Sequence, residues 1–298
     1  MEIAVGSELG ISQHQRSHDA CCSEALAPDI ALLAVADGFG SYGRGSVAES
    51  AVMTLRDFFR RKLRSGALTP ASRNNGPLVL RRLMLAGFAH ANSRIYSQSG
   101  SHEDFVAAGA SLTAALVVGA QVYIGHVGEA RAYLVRDEKL SPLTEDDAIV
   151  PESGGGGKMS IGAGARLRSL LTRTLGTQAT LEATVTHFEL DDDDRLVLCT
   201  DGVHKTLSGD ELEFAAAAPG TAAEIVDRIL ALLKMRGNQD GGTVIVGGDL
   251  TIPVAATGEI ASRRHSPSAF GVAFVILAVI VAAALLYEAL VPLHIALH

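Results

Sequence analysis

Apolar runs that end in Asp-Gly recur along this chain. Ile30-Ala31-Leu32-Leu33-Ala34-Val35-Ala36 has the length of a buried strand and runs into Asp37-Gly38. Leu196-Val197-Leu198-Cys199-Thr200 ends likewise at Asp201-Gly202, and Asp240 precedes Gly241-Gly242 and an apolar run over 243–250. Elsewhere the period is helical. Val47, Ala51, Leu55, Phe58, Phe59 and Leu63 fall on one face of a helix over 46–64, and Leu80, Leu83, Met84, Phe88, Ala91 and Ile95 on one face of a second. These stripes are read as core, with Arg60, Arg61, Lys62, Arg81 and Arg82 on the solvated faces. The stretch 65–77, rich in Gly, Pro, Ser and Asn, is a loop.

Residues 1–36 read as a hairpin-like pair of strands with a polar excursion between them. Short β-rich runs over 110–118, 121–127 and 130–135, joined at Gly119-Ala120 and Gly128-Glu129, predict an antiparallel meander. The Gly-rich tract within 151–165 predicts a mobile segment. Asp191 to Asp194 read as a solvated acidic turn, without the spacing of a calcium loop. Two further helices are expected, over 208–217, with Ser208 and Glu211 forming a capping box, and over 221–235.

After 250 the pattern changes again. Residues 251–265 form a linker ending in Arg263-Arg264-His265, and 266–287 contain no charged residue. About 20 such residues span a bilayer core as a helix. A transmembrane helix over 266–288 is therefore expected, followed by a short tail at 289–298. Lys and Arg precede this span and none follows it, which predicts a cytoplasmic catalytic domain on a single-pass anchor. The amino terminus lacks the basic-then-apolar pattern of a secretory signal.

Composition narrows the function classes. At 298 residues the chain can bury one large core, and a net charge of −8 with no basic stripe argues against a nucleic-acid partner. The three cysteines include adjacent Cys21 and Cys22, which suits a reducing compartment and matches no zinc spacing.

The candidate chemistry lies in dispersed carboxylates. Asp37, Asp201 and Asp240 each border an apolar run and a glycine, and Asp19 follows His14-Gln15-Arg16-Ser17-His18. A carboxylate at the end of a buried strand, beside glycine that lets the backbone come close, suits a hard cation such as Mg²⁺ or Mn²⁺.

The order Asp37-Gly38-Phe39-Gly40, Gly125-His126-Val127-Gly128-Glu129-Ala130-Arg131, Leu143-Thr144-Glu145-Asp146, Leu171-Thr172-Arg173-Thr174-Leu175-Gly176, Cys199-Thr200-Asp201-Gly202-Val203 and Asp240-Gly241-Gly242-Thr243 resembles the PP2C-type metal-dependent serine/threonine phosphatases of bacteria. The resemblance runs over about 1–250. It implies an α+β fold, an α-β-β-α sandwich of two antiparallel sheets flanked by helices. It also implies two Mn²⁺ or Mg²⁺ ions and an attacking water held between them. On this resemblance Asp37 bridges the ions, the Gly38 carbonyl serves the second, and Asp201 and Asp240 complete the first. Asp19 hydrogen-bonds water, Glu129 borders a third ion, and the Gly-rich tract is a variable flap. No covalent phosphoenzyme is implied, so neither Ser41 nor Cys199 is a nucleophile.

Several positions depart from that pattern. His18 stands where a glutamate is usual, removing one negative charge from the metal shell. His14 stands where an arginine would grip the substrate phosphate, and imidazole lacks the bidentate fork; Arg16 lies two residues on. Glu129 replaces an aspartate, and Phe39 cannot act as a general acid. His126 is read as a structural histidine and His204 as a surface one.

The expected activity is hydrolysis of phosphoserine or phosphothreonine in a phosphoprotein, a kinase or its targets, at a membrane. Two alternatives stand beside it: a non-catalytic relative that binds phosphoproteins as a membrane scaffold, and a hydrolase of small phosphate esters.

Overall fold

Alternating side chains set the architecture, because each central strand is apolar on both faces. The computed structural model describes residues 2–8, 18–39, 46–70, 72, 77–99, 108–149, 170–238 and 241–248. His14, Arg16, Asp240, the whole Gly-rich tract and the whole segment from 249 onward lie outside these residues. Among the described residues, no helix is long and apolar enough to cross a membrane.

One five-stranded antiparallel sheet has the order β10 (Thr184–Glu189), β5 (Gln121–Val127), β4 (Gly109–Val118), β3 (Ile30–Phe39), β2 (Asp19–Ala27). The other runs β1 (Glu2–Glu8), β12 (Gly242–Gly248), β11 (Arg195–Cys199), β6 (Arg131–Arg136), β7 (Lys139–Pro142). A small pair, β8 (Ala148–Ile149) and β9 (Leu170–Leu171), stands apart. Helices α1 (Val47–Arg64) and α2 (Pro77–Ser99) cover the first sheet. The second is covered by α4 (Gly209–Ala217) and α5 (Ala222–Met235), while the short α3 (Asp201–His204) follows β11 directly. The expected sandwich with helices outside both sheets is the fold observed.

On β3, Ile30, Leu32, Ala34 and Ala36 pack against α1 and α2, whereas Ala31, Leu33 and Val35 belong to the layer between the sheets. That middle layer also takes Ala115, Val117, Val122 and Ile124 from the same sheet, and Ala132, Leu196, Leu198 and Ile245 from the other. The α1 and α2 stripes are buried as the periodicity predicts, with Leu55, Phe59, Met84 and Phe88 fully inaccessible. Both capping boxes, Ser208 with Glu211 and Thr221 with Glu224, are formed, and each cap stabilises its helix start by about 1 kcal/mol.

Three sequence-based expectations are corrected. The opening strands do not pair: β1 lies against β12, Glu2 opposite Gly248, while β2 and β3 form the hairpin. The meander is broken after β5, because the Gly128-Glu129 turn carries the chain into the other sheet, where β6 pairs with β11 and β7. Local alternation reads identically in either sheet, so the crossover leaves no mark on the period. The 191–194 turn is not wholly solvated: Asp194 is buried, ion-paired to Arg136, and accepts from the Asp191 N–H at 2.8 Å.

Candidate active site

The inner faces of the strands turn polar together at one end of the sandwich. Continuing the alternation from Val35 on β3 leads to Asp37, and from Cys21 on β2 to Asp19, with these two directly opposite in the ladder. On β4 the same face passes from Ala115 to Thr113 and Ser111, and Ser111 pairs with Asp37. Across the middle layer, Leu198 is followed on its face by Thr200, and Ile245 is preceded by Thr243. A row of carboxylates and hydroxyls therefore closes the apolar layer.

Thr200 ties the two sheets together here. Its hydroxyl donates to Asp19 Oδ2 at 2.7 Å and accepts from the Thr243 N–H at 2.9 Å, and its own N–H donates to the Thr243 carbonyl at 3.0 Å. The next residue, Asp201, opens α3. Gly202 lies so close to the following turn that a Cβ would stand 1.8 Å from the Gly241 carbonyl oxygen, so only glycine fits. Asp240 precedes Gly241 in the chain and lies outside the described residues.

The carboxylates repel one another. Burial, then the charges of Asp201 and Asp19, push the Asp37 carboxyl up to about 8, and a hydrogen bond between Asp37 and Asp19 holds a proton on the former. Burial raises Asp19 as well, against hydrogen bonds from Thr200 and Thr243 that favour its charge. Such a cluster has oxygen donors only, excess negative charge and incomplete neutralisation, which is the donor set of a hard divalent cation. Among the described residues, no three Asp, Glu, His or Cys side chains converge on one point.

A second turn faces this row. Gly128, at φ 97°, lies against Ser111, whose hydroxyl accepts from the Glu129 N–H at 3.1 Å. The Glu129 carboxylate, expected beside a third ion, is ion-paired to Lys205. Lys205 also bonds Asp201 Oδ2 at 2.8 Å. Burial works against its charge, but the bonds to Asp201 and Glu129 outweigh it and raise its proton affinity. His204 is not a surface residue: its Nε2 lies 2.8 Å from the Glu129 carbonyl, and burial, with Arg131 nearby, lowers its pKa. His126 is the structural histidine expected, held at 2.8 Å by both the Thr113 hydroxyl and the Glu145 carbonyl. Arg131 grips Asp146 through two bonds of 2.7 and 2.8 Å, securing the loop after β7 to the same turn.

Of the other candidates, His18 has an exposed side chain, and its carbonyl accepts from the Gly38 N–H at 3.2 Å. The Cys199 thiol is fully buried, and burial pushes it up to about 12, so it is inert as a nucleophile. Sequence reasoning missed Thr200, Ser111 and Lys205. Only Lys205 carried a usable signal, its position four residues after Asp201 at the start of a helix.

The comparisons with known proteins agree with this geometry. Residues 10–239 match the protein phosphatase 2C family. The serine/threonine protein phosphatase PstP of Mycobacterium tuberculosis is 31% identical over 217 residues, 72% of this chain but only 40% of PstP. The serine/threonine phosphatase stp of Listeria monocytogenes is 30% identical over 224 residues, covering 74% of this chain and 85% of stp. A crystal structure of the PstP catalytic domain with two manganese ions superposes with a TM-score of 0.61 at 26% identity, over 82% of this chain and 96% of that one. With a family match across most of its length, and a sandwich that ends in the expected row of carboxylates, the chain belongs to the protein phosphatase 2C family.

Proposed function

We propose that this chain is a metal-dependent protein serine/threonine phosphatase acting on phosphoproteins, a kinase or its targets. The observation that carries this reading is the Asp19–Asp37 pair with Asp201, a half-buried carboxylate set in which burial, then the charges of Asp201 and Asp19, drives Asp37 up to about 8. The similarity to PstP and stp supports the same activity.

Asp37, the Gly38 carbonyl, Asp201 and Asp240 would hold two Mn²⁺ or Mg²⁺ ions; the similar PstP catalytic domain is in complex with two manganese ions. Bound there, such ions neutralise phosphoryl oxygens and supply a water acidic enough to be deprotonated near neutral pH. Asp19, oriented by the Thr200 hydroxyl, would accept a hydrogen bond from a water supplied by such ions. His14 and Arg16 are the groups for the substrate phosphate, and His18 is an auxiliary ligand.

The test is Mn²⁺-dependent hydrolysis of a phosphothreonine peptide by the full chain beside Asp37→Asn and His18→Glu. Activity lost in Asp37→Asn supports the reading. Silence in a folded parent, with activity gained in His18→Glu, shows a site that has lost one ligand, while silence in all three folded proteins favours the scaffold reading. Faster turnover of nucleotides than of phosphopeptides would favour a small-ester hydrolase.

The apolar segment 266–288 supports a single-pass membrane anchor with the catalytic domain on the cytoplasmic side, given Arg263 and Arg264 before it.

A further inference from the structure

Glu129, in the turn before β6, and Asp201, which opens α3 after β11, are joined by one side chain. Lys205 Nζ is ion-paired to Glu129 Oε2 and lies 2.8 Å from Asp201 Oδ2. The Glu129 side chain is only 8% exposed, whereas that of Lys205 is 47% exposed, so the lysine reaches inward from the rim to a carboxylate that burial would otherwise penalise.

Both ends of this bridge are fixed by the backbone. Lys205 caps α3, its N–H donating to the Asp201 carbonyl at 2.9 Å, so its stem returns along the same helical turn to the Asp201 carboxylate. Glu129 is pinned on the other side, its N–H to Ser111 and its carbonyl to His204. The extra methylene of glutamate over aspartate lets the carboxylate reach the ammonium from a turn held by these two bonds.

We propose that the Lys205 ammonium is a built-in cation taking the place of a third metal ion between Glu129 and Asp201. This rests on the two-metal reading above. An ammonium and a divalent ion cannot share the space between the same two carboxylate oxygens, and the lysine is covalently present at every metal concentration. The two differ chemically: an ammonium offers three hydrogen-bond donors and neutralises charge, but binds no water and activates none. Lys205 therefore holds the Glu129 turn against α3 without a third ion, and its Asp201 contact leaves the other carboxylate oxygen for a metal.

The measurement is Mn²⁺ stoichiometry of the full chain in detergent, by calorimetry and by the electron paramagnetic resonance of free Mn²⁺. The variants are Lys205→Arg, Lys205→Ser and the double variant Lys205→Ser with Glu129→Gln, with folding checked by circular dichroism. Two ions are expected in the parent and in Lys205→Arg, three in Lys205→Ser with the third weakest, and two again in the double variant. Two ions in a folded Lys205→Ser, or three in the parent, would overturn the proposal while leaving the phosphatase reading intact. A parent that binds no Mn²⁺ would overturn the two-metal reading itself, and the proposal with it.

Discussion

Asp19 and Asp37 stand directly opposite each other on adjacent strands, the last inward-facing pair of the β2–β3 ladder, and share a hydrogen bond. Like carboxylates in such a position are destabilising unless a proton or a cation lies between them. The pair is therefore relaxed by the proton held on Asp37 or by a bound cation.

That relationship has a pH signature. The Asp37 carboxyl sits at about 8 in the fold against an ordinary 3.8, so the unfolded chain binds fewer protons than the folded one between those values. Its favourable contribution is complete below pH 3.8 and is lost as pH rises through 8. In EDTA, the difference in melting temperature between the parent and Asp37→Asn should move against the parent from pH 5 to pH 8.5. Added Mn²⁺ should stabilise the parent more at pH 8.5 than at pH 5, because no proton need be displaced. Scanning calorimetry at the two pH values checks this; a pH-independent difference between the two proteins sinks it.

Asp37→Asn keeps the shape and removes the charge. Loss of about 100-fold or more in kcat is expected, beyond the 10–100-fold typical of groups that only support a metal ligand. Steady-state kinetics on a phosphothreonine peptide, at saturating Mn²⁺, gives the number.

Thr200→Val removes the hydroxyl that links Asp19 to Thr243 while retaining the volume. It leaves a buried N–H and a carboxylate oxygen each short of a partner, a loss of about 1–3 kcal/mol in stability. Mn²⁺ affinity should weaken by about 10–100-fold, since Asp19 loses one of the hydrogen bonds that orient it. Urea titration and calorimetry separate the two effects, and unchanged Mn²⁺ binding would remove Thr200 from the site.

Gly202→Ala places a Cβ on the Gly241 carbonyl, a backbone atom that cannot rotate away. The Asp201-Gly202 turn must move away from Gly241, costing about 1–3 kcal/mol in chemical denaturation. Metal binding should weaken in parallel, because Asp201 is displaced with its turn.

Arginines at Ile276 and Ile280 test the anchor. Each places a charge near the middle of the apolar segment, costing about 2.5–3.5 kcal/mol for insertion. The parent should partition into the detergent phase on cloud-point separation, and the Ile276→Arg/Ile280→Arg chain into the aqueous phase. Equal partitioning would leave the segment without a membrane role.

The chain itself determined the local parts of this fold. Ile30 to Ala36 and Leu196 to Cys199 lie in strands because apolar β-branched and aliphatic runs of that length can be buried on both faces, and Asp37 and Asp201 follow because each run leads to Asp-Gly. The stripes of α1 and α2 and both capping boxes rest on contacts three or four residues apart, so periodicity alone carries them.

What only the tertiary structure decided involves partners far apart in the chain. The alternation of β1 is the same whether it pairs with β2 or, as found, with β12 more than 200 residues away, and the β5–β6 turn reads as a hairpin although it crosses between sheets. Thr200 and Asp19 lie on opposite sheets, as do Ser111 and the Lys205 turn that meet around Glu129. Hydrogen bonds and ion pairs of this kind depend on how two layers are registered, a property of packing rather than of any window of residues. The chain therefore specified which residue types could bind a cation and at which strand ends they stand. Folding decided that Asp19 and Asp37 oppose each other, that Thr200 spans the layer, and that a lysine lies between Glu129 and Asp201.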